Sequence, residues 1–243
     1  MPEKPNICLS ACIICYNEAQ NIRRCLKSLK WVDEIIVVDA ASEDDTVKIA
    51  STYTSSIYER PWSGYVDQKN FALSKAQGHW VLSVDADEAV SPWLREEILA
   101  EIERPRVKDG YRIPRRSYYQ GRWINHSGFY PDKQLRLFKR TRGQWIGGRV
   151  HERVAVNGEV GELKNDLFHY PYQGVISGHL RRVYAFSELL AADLYEKGCQ
   201  IAGDGERARR PGRFMKAAPG AHEAPPGRES SAPYPGDAIP PVS

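Results

Sequence analysis

An apolar run at residues 80–84 ends in the carboxylates Asp85, Asp87 and Glu88. Because the run is short and Gly78 precedes it, it predicts a buried strand rather than a helix. In a sheet covered by helices, side chains just beyond a strand's carboxyl end face a ligand-binding crevice. Two carboxylates there can hold a divalent cation, which in turn can hold a diphosphate. The run therefore predicts both a core strand and a site.

Two strand-helix units precede this run. Aliphatic segments at residues 7–15 and 34–39 each predict a strand, and apolar residues at helical spacing predict a helix over 22–29. Ser42, with Asp45 three positions later, resembles a capping box that would begin the next helix. Aliphatic strands that alternate with helices indicate an α/β fold with a mostly parallel sheet covered on both faces.

Later segments extend the pattern and suggest one domain with a tail. Further strands are predicted at residues 56–58, 111–115 and 134–139, and further helices at residues 66–76, 92–103 and 177–197. The length of 243 residues suits one substantial core, which we expect at residues 1–200. Residues 201–243 hold eight of the 16 prolines, so they predict a disordered tail rich in proline and glycine.

Charge and cysteine usage narrow the class of protein. The formal net charge of +3 is too small to imply a nucleic-acid partner. Residues 104–153 nevertheless carry fourteen Lys or Arg and three acids, a basic belt that suits an anionic acceptor or a membrane surface, or is an ordinary solvated face. The five cysteines form no secreted disulfide framework, and no apolar stretch is long enough to span a membrane. We therefore expect a cytoplasmic protein.

Polar residues follow three of the predicted strands. Asn17 and Glu18 follow the first, Asp39 ends the second, and Asp85 and Asp87 follow the run described above. Parallel strands place their carboxyl ends at one edge of the sheet, so these side chains should converge. A lone Asp-x-Asp arises easily by chance and could simply precede a helix, but acids at neighbouring strand ends favour a site.

Six segments together resemble a known family: residues 15–18 (Cys-Tyr-Asn-Glu), 37–46, 68–70 (Gln-Lys-Asn), 85–88 (Asp-Ala-Asp-Glu), 130–138 and 150–153 (Val-His-Glu-Arg). They are similar to family 2 glycosyltransferases of the GT-A fold, over roughly residues 7–198. The last two segments resemble a narrower branch, the lipopolysaccharide core glucosyltransferases of the WaaE/KdtX type. This resemblance implies UDP-glucose as the donor and an anionic or lipid-linked saccharide, such as the lipopolysaccharide inner core, as the acceptor.

The resemblance also implies a role for individual residues. Those that would contact the nucleotide sugar are Asn17, Glu18, Asp39, Lys69 and Asp85. Asp87 would be the main ligand of Mg²⁺ or Mn²⁺, with the cation neutralising the departing diphosphate, and Glu88 is a further candidate. For Lys69, an ordinary exposed helix lysine is the alternative interpretation.

The family inverts configuration, so a carboxylate must take the proton of the acceptor hydroxyl. Asp132 is the candidate base, because it follows the aromatic turn at residues 129–131, where partial desolvation would raise its pKa. An Asp that merely terminates a turn is the alternative. Glu152 is the reserve base, and His151 could be a metal or phosphate contact.

Aromatic and basic residues surround this base candidate in the sequence. They suggest either a stacking platform for an acceptor sugar or core packing, and they are Tyr118, Tyr119, Trp123, Phe129 and Tyr130, with Arg115, Arg116 and Arg122. The resemblance also implies a C-terminal region that this chain lacks. Members of the lipopolysaccharide core branch continue into apolar and basic helices that can lie on the inner membrane, whereas this chain becomes proline-rich after about Arg213. We expect peripheral contact with the inner face of that membrane, and a truncation or shifted frame in the tail.

Three other interpretations remain open at this point. The spacing of Cys8, Cys12 and Cys15 matches that of radical SAM iron-sulfur enzymes, but alternation along a strand would separate the three thiols. A sugar nucleotidyltransferase would have a glycine-rich loop after its first strand, where this chain has Tyr16 and Asn17. A non-catalytic sugar-binding remnant would bind its ligand without turnover.

Overall fold

The structure is a computed structural model that describes residues 8–127, 129–148 and 152–171, together with residues 183, 184, 187, 191 and 195. Its strands are β1 (Leu9–Cys15), β2 (Glu34–Asp39), β3 (Ile57–Glu59), β4 (Trp80–Ser83), β5 (Glu88–Val90), β6 (Gly110–Tyr119), β7 (Arg122–Trp123), β8 (Asp132–Lys139), β9 (Gly143–Gly147), β10 (Glu152–Val156), β11 (Val160–Glu162) and β12 (Leu167–His169). Its helices are α1 (Ile22–Ser28), α2 (Thr46–Ala50), α3 (Tyr65–Lys75) and α4 (Pro92–Ile102).

One large sheet organises the described residues, in the order β3-β2-β1-β4-β8-β6-β12-β5. The first four strands of this order are parallel, as the aliphatic runs predict. Beyond β4 the sheet is mixed, because β8 runs antiparallel to both of its neighbours and β5 runs antiparallel to β12. Strands β9 and β10 pair only with each other and form a separate two-stranded sheet.

Helices cover both faces of the large sheet. One core cluster joins alternate β1 residues such as Ile13 to Leu26 of α1 and Leu94 of α4. The other cluster, on the opposite face, joins Cys12 to Ala72 of α3. This two-sided burial explains why the β1, β2 and β4 segments are apolar throughout rather than alternating. The predicted α/β architecture is confirmed.

The starts of two helices show where the local signals succeed and fail. Helix α4 begins as predicted, with the Ser91 hydroxyl oxygen accepting a hydrogen bond from the Leu94 N–H at 3.1 Å. The capping box predicted at Ser42 is wrong, because α2 begins at Thr46 and its N-cap makes no side-chain hydrogen bond. Ser42 bonds to Asp39 instead, so its hydroxyl is committed to the loop before the helix.

Some predictions fall outside the described residues. The tail at 201–243 lies there entirely, and so does His151. Within the predicted helix at 177–197, the five described positions are helical. Two of these residues, Val183 and Tyr184, are exposed. No helix in the described part of the chain combines the length and the hydropathy that a membrane crossing needs.

Candidate active site

The loops after β1 and β2 are joined by side chains. Asn17, in the left-handed region at φ 52°, donates its backbone N–H to the Ser42 hydroxyl oxygen at 2.8 Å, and its amide oxygen accepts from the Glu43 N–H at 2.8 Å. Asp39 is 1% exposed, and its carboxylate accepts from the Ser42 N–H at 2.7 Å and hydroxyl at 2.5 Å. The structure therefore brings Asn17 and Asp39 together through Ser42.

Glu18 lies in the same pair of loops. Its backbone N–H donates to the Thr46 hydroxyl oxygen at 2.7 Å, and its carboxylate accepts from the Asn21 side-chain amide at 2.8 Å. These bonds fix the chain between β1 and α1 against the start of α2. Three predicted nucleotide contacts, Asn17, Glu18 and Asp39, thus share one hydrogen-bonded loop region at the carboxyl edge of the parallel strands.

Asp85, directly beyond β4, lies between two buried cations. Lys69 Nζ is 3.1 Å from its Oδ1, and Arg136 Nη2 donates to its Oδ2. Burial alone would raise the pKa of Asp85, but the charges of Arg136 and Lys69 outweigh it and hold that pKa well below its usual range. Asp85 is therefore an ionised acid with both oxygens engaged.

Lys69 is a buried residue of the site. Its side chain is 5% exposed, and Nζ bonds to Glu152 Oε1 at 3.0 Å as well as to Asp85. The ammonium group also lies 4.4 Å from the centre of the Trp145 ring. The interpretation of Lys69 as an ordinary exposed lysine is wrong, because helix α3 directs it inward between two carboxylates.

Asn70, the residue after Lys69, attaches the β9–β10 hairpin to α3. Asn70 donates from Nδ2 to the Trp145 carbonyl at 2.9 Å and accepts at Oδ1 from the Trp145 N–H at 3.0 Å. The side-chain amide thus replaces a strand partner for the Trp145 backbone. Because Glu152 begins β10, this attachment also places Glu152 beside Lys69.

Glu88 is anchored in the interior. Its side chain is fully buried, and its Oε1 accepts from Arg136 Nη2 at 2.8 Å and from Arg115 Nη1 at 3.3 Å. Its Oε2 accepts the Asp85 backbone N–H at 2.9 Å. A buried carboxylate is tolerated when it is paired in this way. The contacts of Glu88 are therefore internal, with two guanidinium groups and the Asp85 backbone.

Asp132 is the first residue of β8, not part of the turn before it. Arg115 donates to its Oδ2 from Nε at 2.9 Å and from Nη2 at 2.6 Å, and Gln134 Nε2 donates to its Oδ1 at 2.6 Å. The predicted rise of the Asp132 pKa is wrong. Partial burial does raise it, but the Arg115 charge and the hydrogen bonds outweigh burial, so the pKa is lowered.

Asp87 lies next to a residue that the sequence did not indicate. His169 Nε2 is 3.6 Å from Asp87 Oδ2, and its Nδ1 is hydrogen-bonded to the Ser117 hydroxyl at 2.9 Å. Strand β12 carries His169 alongside β5, opposite Glu88. No motif spacing links two residues this far apart in the chain. Among the described residues, no group of three or more His, Cys, Asp or Glu side chains converges as a complete metal site.

Two of the aromatic residues singled out in the sequence lie in one ring cluster. Trp123 lies 5.1 Å from Tyr118, 4.7 Å from Phe168 and 5.7 Å from Tyr170, measured between ring centres. All four rings are partly exposed, and Phe129 is 61% exposed. The cluster therefore lies outside the two buried core clusters, and its contact with an acceptor sugar stays a prediction.

The basic belt is largely paired with acids. Of the thirteen belt cations that the structure describes, seven lie within 4 Å of a carboxylate, namely Arg104, Lys108, Arg115, Arg116, Lys133, Arg136 and Lys139. Two of them, Arg115 and Arg136, serve the buried acids described above. The belt is therefore only partly a free cationic surface.

The cysteines of β1 point in different directions. Cys12 packs in the core cluster on the α3 side, and Cys15 packs in the cluster on the opposite face. Cys8 is exposed. Burial raises the pKa values of the Cys12 and Cys15 thiols far above the ordinary range, which keeps both protonated. Three thiolates cannot converge on a cluster from these positions, so the geometry argues against the radical SAM interpretation.

We expect Glu88→Gln to lower the free energy of unfolding by about 3 kcal/mol, because it removes the buried anion that Arg115 and Arg136 share. Urea denaturation of the whole protein measures this change. Glu96→Gln is the matched control, since its side chain is 72% exposed, and it should change the same quantity by less than about 0.5 kcal/mol. Equal effects of the two substitutions would contradict the buried-anchor role.

A family model described as "Glycosyl transferase family 2" matches residues 10–158. This span contains the carboxyl ends of β1, β2 and β4, and also Asp132. The chain belongs to glycosyltransferase family 2.

Relatives of this family 2 chain include two bacterial proteins. A "Lipopolysaccharide core biosynthesis glycosyltransferase LpsC" of Rhizobium meliloti is 33% identical over 174 residues, which cover 68% of this chain and 64% of the relative. An uncharacterised glycosyltransferase of Rickettsia prowazekii is 48% identical over 207 residues, covering 80% of this chain and 70% of the relative. The chain thus spans somewhat less than two thirds of the length of LpsC.

Solved structures show the same fold at lower sequence identity. Mannosyl-3-phosphoglycerate synthase from Rubrobacter xylanophilus superimposes with a TM-score of 0.52 at 20% identity, covering 85% of this chain and 78% of that one. S. aureus TarS 1–349 in complex with UDP-GlcNAc gives 0.50 at 19% identity, covering 70% and 60%. The family 2 chain therefore has the GT-A fold, as its resemblance implied.

Proposed function

We propose that this protein transfers a glycosyl group, with inversion, from a nucleotide diphosphate sugar to a saccharide acceptor. The observation that carries the proposal is the arrangement of acids at the carboxyl edge of the parallel strands. Asp87 faces His169 at 3.6 Å, while Asp85 and Asp132 belong to one chain of ion pairs through Arg136, Glu88 and Arg115. A site for a diphosphate and a carboxylate for the acceptor thus lie on connected elements.

The donor end would be formed by the joined loops. Glu18 and Asn17 offer carboxylate and amide groups that suit the hydroxyl and imide groups of a nucleoside. Asp39 would support this surface through Ser42, and Asp85 would do so beside Lys69. We take UDP-glucose as the donor to be tested first, and TarS, crystallised with UDP-GlcNAc, shows the same fold with a nucleotide sugar bound.

A divalent cation would be held by Asp87 and His169. A carboxylate and an imidazole are suitable ligands, and the Ser117 bond to Nδ1 orients the His169 ring with Nε2 towards Asp87. Mg²⁺ and Mn²⁺ commonly use few protein ligands and complete their shell with water and substrate phosphate, so two ligands fit. The cation would supply neutralisation of the charge on the departing diphosphate. Because imidazole is a softer ligand than oxygen, we expect Mn²⁺ to support activity better than Mg²⁺.

Asp132 would act as the base. The acceptor oxygen bonds to the anomeric carbon, its proton passes to Asp132, and the bond to the diphosphate breaks with the electron pair leaving on the phosphate. A lowered pKa keeps Asp132 ionised at neutral pH, and hence able to accept a proton. Glu152 remains the second candidate, although its Oε1 is engaged by Lys69 at 3.0 Å.

The acceptor we propose is an anionic saccharide of the lipopolysaccharide core, because the relative LpsC is named for that biosynthesis. Exposed cations of the belt such as Arg122 would attract its phosphate or carboxylate groups. A lipid-linked acceptor of this kind also places the protein at the cytoplasmic face of the inner membrane. Flotation of the protein with anionic phospholipid vesicles checks that placement, and no flotation at low salt would contradict it.

Release of nucleotide from a panel of nucleotide sugars tests the proposed function directly. We expect release from one donor in preference to the others, stimulated by Mn²⁺, lost with chelator and raised further by lipopolysaccharide core oligosaccharide. If nucleotides bind but no donor is turned over with any metal, the protein is a sugar-binding remnant and the proposal fails.

A further inference from the structure

We propose that Arg115, itself held by Glu88, is the positioning residue that orients the Asp132 carboxylate for proton transfer. This inference rests on the proposed function, in which Asp132 is the base. Arg115 lies between two acids: Glu88, which follows the proposed metal ligand Asp87, and Asp132, the proposed base.

Arg115 and Asp132 face each other across an antiparallel ladder. They are directly paired positions of β6 and β8. Arg115 approaches one carboxylate oxygen, Oδ2, with two N–H groups, from Nε at 2.9 Å and from Nη2 at 2.6 Å. These two bonds from one planar guanidinium fix the position of Oδ2, and the Gln134 bond to Oδ1 limits the rotation of the carboxylate about it.

The opposite edge of the guanidinium is bound to Glu88. Arg115 Nη1 lies 3.3 Å from Glu88 Oε1, and Glu88 is fully buried. Glu88 cannot easily move, because Arg136 and the Asp85 backbone N–H hold its two oxygens at 2.8 and 2.9 Å. Arg115 therefore connects Asp132 to the turn that carries Asp87, the residue before Glu88.

This geometry selects one oxygen of Asp132 for the proton. Oδ2 already accepts two hydrogen bonds from Arg115, whereas Oδ1 accepts one, from Gln134 Nε2 at 2.6 Å. A carboxylate oxygen has two lone pairs, so Oδ1 keeps one for the acceptor hydroxyl. Loss of Arg115 would free the carboxylate to rotate and would remove this distinction.

A double-mutant cycle with Arg115→Gln and Asp132→Asn tests the inference in the full chain with Mn²⁺, the preferred donor and core oligosaccharide. We expect Arg115→Gln to lower kcat about 10–100-fold with little change in the donor KM, as loss of an outer-shell partner typically does. Added to Asp132→Asn, it should cost almost nothing more, because it acts only through Asp132. Arg95→Gln, an exposed arginine on α4 outside the basic belt, should leave kcat unchanged.

The acid limb of the kcat/KM–pH profile gives a second readout. Three charges bear on Asp132, namely Arg115 from β6, Arg136 from β8 and Glu88 from β5 behind Arg115. Arg115→Gln removes the nearest cation, so the limb should move to higher pH, while Arg115→Lys, which preserves the charge towards Glu88 and Asp132, should move it less. Arg115→Lys also guards against misfolding of the Gln variant.

The outcomes separate this inference from the proposed function. If the wild-type protein releases no nucleotide, the proposed function fails. If the wild type is active but losses from Arg115→Gln and Asp132→Asn multiply, or Arg115→Lys matches wild type in both kcat and pH limb, Arg115 does not act by orienting Asp132. An Arg115→Gln variant with the same kcat as Arg95→Gln would overturn the inference equally.

Discussion

We expect Asp87→Ala to lower kcat of the proposed glycosyl transfer on the order of a thousand-fold, equivalent to several kcal/mol of transition-state stabilisation. Asp87 Oδ2 lies 3.6 Å from His169 Nε2, and the substitution removes the carboxylate that we propose as the partner of this imidazole in holding a cation. Nucleotide release assayed over a range of Mn²⁺ concentrations measures the loss.

Two further variants test whether the loss is specific to the proposed metal site. His169→Asn should raise the Mn²⁺ concentration needed for half-maximal activity by about 10–100-fold. It should lower kcat less than Asp87→Ala does. Asp45→Ala is the control, because the Asp45 side chain is 69% exposed and forms a surface ion pair with Lys48 at 3.5 Å. Should Asp87→Ala retain full metal-stimulated transfer, the assignment of the diphosphate site to this turn is wrong.

Asp132→Asn is the second large effect, with an expected loss of about 10²–10⁴-fold in kcat. Asn preserves the shape of the side chain and an oxygen for Arg115 but is far too weak a base to take the proton. Donor KM and nucleotide affinity should stay near wild type, because Asp132 acts on the acceptor. Steady-state kinetics with varied donor and varied acceptor separate these quantities.

Glu152→Gln is the competing variant in the same assay. It removes a partner of the buried Lys69, so we expect weaker donor binding or lower stability, with a smaller loss of kcat than Asp132→Asn causes. The reverse order, with Glu152→Gln the more severe in kcat at normal donor KM, would identify Glu152 as the base and Asp132 as its support.

The parallel half of the fold was predictable because burial on both faces leaves a strong signal in the sequence. Runs such as those of β2 and β4 are apolar over their full length, and the polar residues begin where the strands end. The same pattern places Asp85 and Asp87 just beyond a strand end, which is why they could be chosen as site candidates with no structure.

The mixed half of the sheet was not predictable in the same detail. Strands β5, β11 and β12 have three residues each and contain charged or polar positions, so they show no period. Their place in the sheet depends on pairing with β6 and with each other. His169 reaches Asp87 only through this pairing, and no local feature of the chain indicates it.

The error about the Asp132 pKa has a similar cause. The neighbouring aromatic residues are visible in the sequence and suggest desolvation, whereas Arg115 lies on another strand and becomes adjacent only across the β6–β8 ladder. The alternative of an exposed Lys69 stayed open in the sequence for the same reason, since Glu152 is 83 positions away in the chain. Long-range charge pairing decides both environments.

The amide of Asn70 has a consequence for engineering. Strands β9 and β10 share no ladder with the large sheet, and the hairpin is joined to α3 by the Asn70 amide pair and the Lys69 ammonium group. Trp145 and Val154 of the hairpin also pack in the core cluster that contains Ala72 of α3. A hairpin exchanged from another family member would therefore have to supply a backbone for the Asn70 amide, an acid for Lys69 and two apolar side chains for the core.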